Sequence, residues 1–467
     1  MMPRFVFLYT DAVIWLLALV CVLYAHHVSK TPELRAKWKK LSANSTALFC
    51  AGILSLFFAT ALADSVHFRP ALPTQPGAAL AYSPKTVSAL EYFVGNRIAA
   101  AERSYSAPFA LHDFDKTSVL QNGKVERVYA RLKGASPNVQ EGDYAQALFS
   151  SLTRGAACGG FLSVLFLALC AIPGSIRRRS VLSGLRELLS RQNALRPILW
   201  VWTGFLFVFG FLYCVCPDWH VFGTDAVGND VFLSALKSVR TAVVIGTLAT
   251  FCTLPLAVCF GIAAGYFKGW VDDVIQYIYT TITSIPSVLL IAASVLMIQV
   301  FIDKNPSLYE TGLERADLRL FFLSAIIGVT GWAGLARLLR AEAMKISEMD
   351  FVTAAKAFGV SPLRIMMRHI FPNVAHIVLI VAVLDFSGIV LYEAVLSYVG
   401  VGVDPSMSSF GSMINSAASE MSRNPVVWWN LLASFLFMVT LVLSANLFAG
   451  GVREVFDPHS ENGERNA

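Results

Sequence analysis

Long apolar segments alternate with short polar ones along this chain, and the alternation predicts membrane-spanning helices. About nine segments are apolar over the roughly 20 residues that a helix needs to cross a bilayer. Lys, Arg, Asp and Glu are concentrated in the connections between them. The pattern therefore indicates an all-α polytopic membrane protein. The predicted spans are Phe5–Ala25, Ser45–Ala63, Gly155–Gly174, Pro197–Val215, Thr241–Tyr266, Ile275–Phe301, Leu320–Leu339, Ile377–Tyr398 and Trp428–Gly450.

One sizeable polar segment, residues 64–154, lies between the second and third spans. We predict a helix from Ser83 to about Arg103 and a strand at Val125–Leu132. Acids and bases are mixed throughout the segment, and no catalytic constellation stands out. It is a small mixed insert. Its isolated histidines are predicted to be solvated: His67 and His112.

The segment from Asp350 to Pro372 is the most informative connection between two spans. Its charged side chains would be stranded in lipid, so it must lie outside the bilayer. One apolar face is predicted at helical spacing, i, i+3, i+4 and i+7, and it presents two aromatic rings on either side of two alanines. Such a face fits a groove on another protein. The residues of this face are Phe351, Ala354, Ala355 and Phe358.

Local signals set the ends of this short helix. Asp350 is a good N-cap residue, and Gly359 stands where a helix end needs a left-handed conformation. Ser361 and Pro362 then start a second helix, with a capping hydroxyl and a proline at the first helical position. The sequence therefore predicts a helix, a tight turn and a second helix that leads back into the membrane.

Three residues inside predicted spans are candidates for a membrane pathway. Pro286 follows several hydroxyl-bearing residues, and a proline there frees a backbone carbonyl and kinks the helix. Asp385 and Glu393 are acids in the eighth span, where each must face the bundle, water or a hydrogen-bond donor. For Pro286 a packing kink is the alternative, and for the acids it is a hydrogen bond to a neighbouring helix or to the outer loop.

Composition agrees with a membrane protein. The chain is 56% hydrophobic and 15% charged, with a mean hydropathy of +0.60. The net charge of +6 needs no nucleic acid to explain it, because the bases cluster beside apolar spans as the positive-inside rule expects. The same rule predicts an N-terminus outside and a C-terminus inside the cell.

The sequence offers no enzymatic chemistry of its own. It contains no G-x-x-x-x-G-K-[ST] phosphate-binding loop, so we expect no ATP hydrolysis by this chain. The eight cysteines lie in or beside apolar spans and have no metal-ligand or disulfide-framework spacing. We therefore predict no catalytic residue, no metal site and no cofactor.

Several motifs resemble one known family, the permeases of ATP-binding-cassette importers for dipeptides, oligopeptides and nickel. Thr353-Ala354-Ala355, Gly359 and Ile370-Phe371-Pro372-Asn373 resemble the family's EAA loop, although Thr353 replaces its glutamate and Phe371 its usual leucine. The run from Phe222 to Asp230 is similar to the family's FGTDxxGRD signature, with Asn229 in place of arginine. Trp332 to Arg340, Glu393 to Gly402 and the end at Asp457-Pro458 also match family motifs.

This resemblance implies a fold and a function. The core, residues 197–458, would be the six-helix bundle of a type I importer permease in the bacterial inner membrane. Around it we predict a two-helix extension (1–63), a periplasmic insert (64–154), a third helix with a basic linker (155–196) and a disordered tail (459–467). The N-terminus would be periplasmic and the C-terminus cytoplasmic.

The resemblance also implies partners and site residues. The partners would be a second paralogous permease, cytoplasmic ATPase subunits, a periplasmic solute-binding protein and a peptide substrate. The implied ATPase-coupling residues are Phe351, Thr353, Ala354, Ala355, Phe358, Gly359 and Pro372. Those at the outer mouth of the pathway are Gly223, Thr224, Asp225, Gly228 and Asp230.

Three alternatives stay open at this stage. A nickel or other small-solute importer would share the same core. A proton-driven secondary transporter would use Asp385 and Glu393 as relay groups but would not need the amphipathic inner loop. A membrane scaffold would work through its outer insert.

Overall fold

The computed structural model describes residues 4–72, 82–83, 86–95, 98, 101–121, 124–134, 139–178, 190, 193 and 195–456. Within these residues, nine helices are long and apolar enough to cross a membrane, which confirms the predicted number. The predicted tail 459–467 and most of the basic linker after the third span lie outside the described residues.

The helices run through the whole described chain. They are α1 (Tyr9–Lys30), α2 (Pro32–Leu41), α3 (Ser45–Asp64), α4 (Ala89–Val94), α5 (Tyr144–Arg178), α6 (Arg196–Val215), α7 (Val231–Phe267), α8 (Gly269–Ser284), α9 (Ser287–Lys304), α10 (Gly312–Gly331), α11 (Ala333–Ser347), α12 (Asp350–Ala357), α13 (Pro362–Ile365), α14 (Phe371–Tyr398), α15 (Phe410–Glu420) and α16 (Trp429–Phe456). A π-helical turn, Met366–Ile370, joins α13 to α14.

Two small sheets complete the fold. β1 (Arg4–Val6), β2 (His67–Arg69) and β3 (Val87–Ser88) form an antiparallel sheet in that order, with Phe5 opposite Phe68. β4 (Thr117–Gln121) and β5 (Lys124–Val128) form an antiparallel hairpin.

The sixth predicted span is broken at Pro286 instead of kinked. Helix α8 ends at Ser284, Ile285 is extended (φ −86°, ψ 132°) and Pro286 precedes the first residue of α9. A proline disfavours helical geometry in the residue before it, which explains why Ile285 leaves the helix. The hydroxyls of Thr281 and Thr283 donate to carbonyls four residues earlier. The Ser284 hydroxyl donates to the Thr281 carbonyl, one of the last four of α8.

The described residues of the insert contain less helix than its sequence predicted. Among those of 83–103, the expected helix is only α4, because Val87 and Ser88 pair with β2 and the Ser88 hydroxyl caps α4 by accepting from Glu91 N. The strand expected at Val125–Leu132 is β5 and ends at Val128. His67 is buried in β2, so its predicted solvation is wrong, and His112 is half-buried.

The chain divides into two compact units. The first comprises Met1–Phe7, Ser42–Thr241 and Ser408–Ser444.

Within the first unit, α5 crosses α6 at glycines. A Cβ on Gly159 would lie 2.3 Å from the Phe207 carbonyl oxygen, and one on Gly210 would lie 2.9 Å from the Gly159 Cα. Small residues at this crossing let the two backbones approach closely, which is how helices associate in lipid.

The second unit comprises Leu8–Leu41, Ala242–Met407 and Ala445–Ala467. Its core joins α7, α8, α11, α12 and α14, and its fully buried side chains include Leu339, Ile365, Ile370 and Val374. The N-terminal helices belong to this unit. At the start of α1, the backbone N–H and the hydroxyl of Thr10 both donate to the carboxylate of Asp317 on α10. The Trp38 ring of α2 lies 6.0 Å from the Phe456 ring of α16.

Candidate functional site

Helix α12 presents one face to its own protein and the other to its surroundings. Val352 is fully buried in the core of the second unit, and Ala355 is 9% exposed. The ring of Phe358 is 88% exposed and that of Phe351 is 44% exposed. The predicted pair of exposed rings is therefore present. Only Ala354 of the two predicted alanines is exposed, because Ala355 lies one turn after Val352 and follows it into the core.

The start of α12 also differs from its prediction. Met349 is the N-cap, and Asp350 is the first helical residue, where its negative charge still complements the N-terminal end of the helix. Thr353 is exposed, and its hydroxyl donates to the Asp350 carbonyl at 2.9 Å. Pro372 is exposed near the start of α14.

The end of α12 is a Schellman motif. Gly359 is left-handed (φ +73°), as predicted. Its N–H donates to the Lys356 carbonyl at 3.0 Å, and Val360 N donates to the Ala355 carbonyl at 3.1 Å. Helix α13 then begins at Pro362, as predicted, but the Ser361 hydroxyl makes no capping hydrogen bond.

We expect Gly359→Ala to destabilise this turn through backbone conformation alone. Nothing lies within 4 Å of an added Cβ, so no collision contributes. A left-handed alanine costs about 1–2 kcal/mol. Thermal unfolding of the purified protein measures the loss. Gly359→Asn is the matched variant, since Asn tolerates this conformation better, and an equal loss in both variants would contradict the argument.

Helix α8 braces α11, the helix that leads into α12. Arg340 donates two hydrogen bonds to the Asp272 carboxylate, one of them at 2.6 Å from Nη2. This hydrogen-bonded pair lowers the pKa of Asp272, although burial of the carboxylate acts in the opposite direction. The Arg337 guanidinium lies 4.6 Å from the Tyr279 ring centre and donates to the Thr283 hydroxyl at 3.1 Å. The two arginines therefore fasten α11 to α8.

Two further contacts hold α12 and the turn before it. Lys268 Nζ lies 2.8 Å from the Glu348 carboxylate, and Lys356 Nζ lies 4.7 Å from the Tyr266 ring centre. Both basic groups belong to exposed surface, so each contact contributes little to stability alone. Together with the buried Val352, they fix the direction in which Phe358 points.

Polar groups form one open face within the membrane-spanning part of the second unit. Pro286 and Ser287 are exposed at the start of α9, and the Tyr392 hydroxyl donates to Ser287 Oγ at 2.9 Å. Asp385 and Gly388 lie two turns and one turn before Tyr392 on α14, so the three share a side of that helix. We call these five residues the open polar face. It contains two of the three pathway candidates.

The third candidate, Glu393, lies elsewhere. Its side chain is 1% exposed, and its carboxylate accepts a hydrogen bond of 2.6 Å from Ser397 Oγ. Ser397 Oγ also accepts from Val403 N. Glu393 therefore takes part in a hydrogen bond within its own helix near the C-terminal end of α14, and its place in a pathway stays a prediction.

The loop from His220 to Asp230 carries the second motif, and in the first unit part of it is buried against the insert. Thr224 is fully buried: its hydroxyl donates to Ser104 O at 2.8 Å, and its backbone carbonyl accepts from Trp429 Nε1 at 2.9 Å. Gly223 (φ +66°) and Gly228 (φ +83°) are both buried. A Cβ on Gly228 would lie 2.0 Å from the Glu102 carbonyl oxygen, so only glycine allows this contact.

The carboxylates of this loop also serve its own fold. Asp225 accepts from the backbone N–H groups of Val227 and Asn229 at 2.9 Å each. Asp230 caps α7 by accepting from Phe232 N at 2.9 Å. The assignment of these residues to the mouth of a pathway stays a prediction, and a role in holding the insert is added to it.

A buried ionic group joins the insert to this loop. His220 Nδ1 lies 2.8 Å from Asp230 Oδ2, and His220 Nε2 lies 3.7 Å from Glu102 Oε1. Glu102 also accepts from Lys133 N at 2.9 Å and Gly134 N at 2.6 Å. Burial opposes protonation of His220, but its two carboxylate partners outweigh burial and raise its pKa to about 9. The ring is therefore an imidazolium between two carboxylates at neutral pH.

Comparison with known proteins identifies a family for the C-terminal part of the chain. Residues 257–462 match the family described as "Binding-protein-dependent transport system inner membrane component". This part of the chain belongs to the binding-protein-dependent transport permeases. The matched part of the permease contains α12, the brace from α8 and the open polar face.

Named relatives of the permease are peptide transport proteins. It is 29% identical over 243 residues to the oligopeptide transport system permease protein OppC of Mycobacterium bovis, covering 52% of this chain and 77% of the relative. It is 28% identical over 240 residues to OppC of Haemophilus influenzae, covering 51% and 70%. It is 29% identical over 243 residues to the dipeptide transport system permease protein DppC of Lactococcus lactis, covering 52% and 65%.

Proposed function

We propose that this permease is the transmembrane subunit of an ATP-driven peptide importer and that α12 couples it to a cytoplasmic ATPase. The family match and the names of the relatives support the transport role and the peptide class. Coupling rests chiefly on one observation: α12 exposes Phe358 while Val352 fixes the same helix in the protein core.

The mechanical argument follows from that geometry. A force on an exposed ring moves the membrane helices only if the helix carrying the ring cannot rotate independently. Val352 and Ala355 pack into the core shared by α7, α11 and α14, and Gly359 ends α12 sharply before α13. When the ATPase changes shape around Phe358, α12 moves as a rigid body and takes α11 and α14 with it.

Nucleotide drives this change by differential binding. ATP shifts the permease only if the ATP-bound ATPase dimer binds one orientation of α12 more tightly than the other. A shift from 1:99 to 99:1 needs about 5.5 kcal/mol of such preference. Two aromatic rings bound in a groove can supply a binding preference of this size, because truncating a buried aromatic anchor commonly costs about 2 kcal/mol or more.

The same proposal defines the partners and the orientation. A second paralogous permease would complete the pathway beside the open polar face. Two ATPase subunits would bind on the cytoplasmic side, and a periplasmic solute-binding protein would deliver the peptide. The N-terminus would be periplasmic and the C-terminus cytoplasmic.

The alternatives have less support. The relatives described above are named for peptide transport, which favours peptides over nickel. A proton relay through Asp385 and Glu393 is disfavoured because Glu393 is enclosed and hydrogen-bonded to Ser397. A secondary transporter would also have no use for an exposed Phe358.

Cysteine labelling tests the proposed orientation. We expect Phe358→Cys to react with a membrane-impermeant maleimide only from the cytoplasmic side and to be protected when the ATPase is bound. Val227→Cys, in an exposed position of the outer loop, should react only from the periplasmic side. Both variants are made after replacing the exposed native thiols of Cys21 and Cys259 by serine. Labelling of position 358 from the periplasm would overturn the coupling role.

A further inference from the structure

Asp385 is placed where a charge is costly. It lies midway along α14, so about 20 Å of helix separates it from each end at 1.5 Å per residue. Leu384 and Phe386 flank it, and the helix is part of a membrane-spanning segment. An acid at this depth needs a hydrogen-bond donor, a cation or water around it.

The described part of the chain supplies no donor for this carboxylate. Among the described residues, Asp385 makes no hydrogen bond and no ion pair, although nearby polar groups on α14 are satisfied. The Ser387 hydroxyl donates to Asn446 Oδ1 at 2.5 Å, and Glu393 is hydrogen-bonded to Ser397. Asp385 is therefore the acid of α14 that needs a partner from outside the described chain.

The side of α14 around Asp385 is open. The Asp385 side chain is half-buried, and Gly388, one turn further, has nothing within 4 Å of an added Cβ. Leu384 and Leu391 are exposed on the same stretch of helix. The Tyr392 hydroxyl and Ser287 continue the polar line toward the start of α9. A polar molecule moving along the open polar face would meet one negative charge, at Asp385.

We propose that Asp385 binds the terminal ammonium group of the peptide during its passage through the importer. This inference rests on the proposed function. Peptides of every sequence share only their backbone and their two charged ends, and of these the ammonium group carries positive charge. Its three N–H donors match an acceptor-only carboxylate. A divalent cation would need several ligands, and no group of three or more His, Cys, Asp or Glu suited to a metal occurs among the described residues.

The experiment compares two peptides in the complete reconstituted importer. Import of trialanine and of N-acetyl-trialanine is measured, each presented at saturating concentration on the importer's own binding protein. The readout is the ratio of the two import rates. We expect Asp385→Asn to lower the wild-type ratio about tenfold, the size of one lost charge-assisted hydrogen bond, and Asp385→Glu to restore most of it. Any preference imposed by the binding protein is equal in all variants and cancels.

Tyr392→Phe is the matched control, because it removes a polar group from the same face without removing charge. Its ratio should stay at the wild-type value. An unchanged ratio in Asp385→Asn, with import intact, would overturn the inference and leave the peptide-importer proposal standing. Loss of the second permease from purified Asp385→Asn would also overturn it, since the carboxylate would then hold a subunit. If the wild-type importer moved neither peptide, both proposals would fail.

Discussion

Replacing Phe358 with Asp should release the ATPase from the purified importer, or leave it bound with ATP hydrolysis no longer linked to import. The ring is 88% exposed, so the permease loses almost no packing of its own and should fold normally. The Asp variant lacks the apolar ring that would be buried in the ATPase groove, and its carboxylate would have to give up its water to enter that groove. We expect ATPase affinity to fall at least about thirtyfold, as for loss of one central aromatic anchor. Co-purification and peptide-stimulated ATPase activity are the measurements.

Two further variants show whether position matters. Phe351→Asp should act in the same direction but less strongly, because its ring is half as exposed as that of Phe358 and shares its surroundings with His369. Phe93→Asp is the matched control, since Phe93 is 69% exposed on α4 of the insert. It should leave coupling unchanged. Full coupling in Phe358→Asp, or equal damage from Phe93→Asp, would show that α12 is not the docking element.

His220→Ala should loosen the attachment of the insert to the loop before α7. The imidazolium is 1% exposed and separates two carboxylates, so its removal leaves Asp230 and Glu102 buried without their shared cation. Removing one partner of a buried ionic group typically costs about 3–5 kcal/mol. The expected result is faster hydrogen exchange at the amides of Lys133 and Gly134, which donate to Glu102. His26→Ala, at an exposed position of α1, should leave that exchange unchanged.

The same group predicts a pH dependence. The pKa of His220 is about 9 in the folded protein against a reference value of 6.5. Protonated His220 therefore contributes roughly 3 kcal/mol to the free energy of unfolding. This contribution is complete below about pH 6.5 and is lost as pH rises through about 9. Protection of the Lys133 and Gly134 amides should fall across that range in the wild type. If amide protection depended on pH equally in the wild type and in His220→Ala, this assignment would be contradicted.

The membrane spans were predictable because lipid imposes a simple rule on every residue of a span. Hydropathy therefore located nine spans, and the ends of most agree to within a turn or two. Gly359 was also predictable, since its role depends on local backbone geometry. The main error in the spans occurred at Ile285, where the effect of Pro286 on its neighbour outweighed the apolar run on both sides.

Features that depend on distant residues were not predictable in the same way. Helical spacing placed Ala355 beside Phe351 and Phe358, but burial of Val352 decides which side of α12 faces inward. The His220 group joins residues more than 100 positions apart, and nothing local in the sequence marks Glu102 as its partner. The Asn122-Gly123 pair is different, because this dipeptide is a strong local signal for a hairpin, and the strands on either side of it in the sequence, β4 and β5, do pair.

The placement of α1 has a steric consequence for the proposed assembly. Hydrogen bonds from Thr10 to Asp317 and the contact of the Tyr9 and Phe321 rings, 6.1 Å apart, keep the first turn of α1 against α10. In the proposed assembly, a second permease could therefore not contact this part of α10 without displacing the first turn of α1.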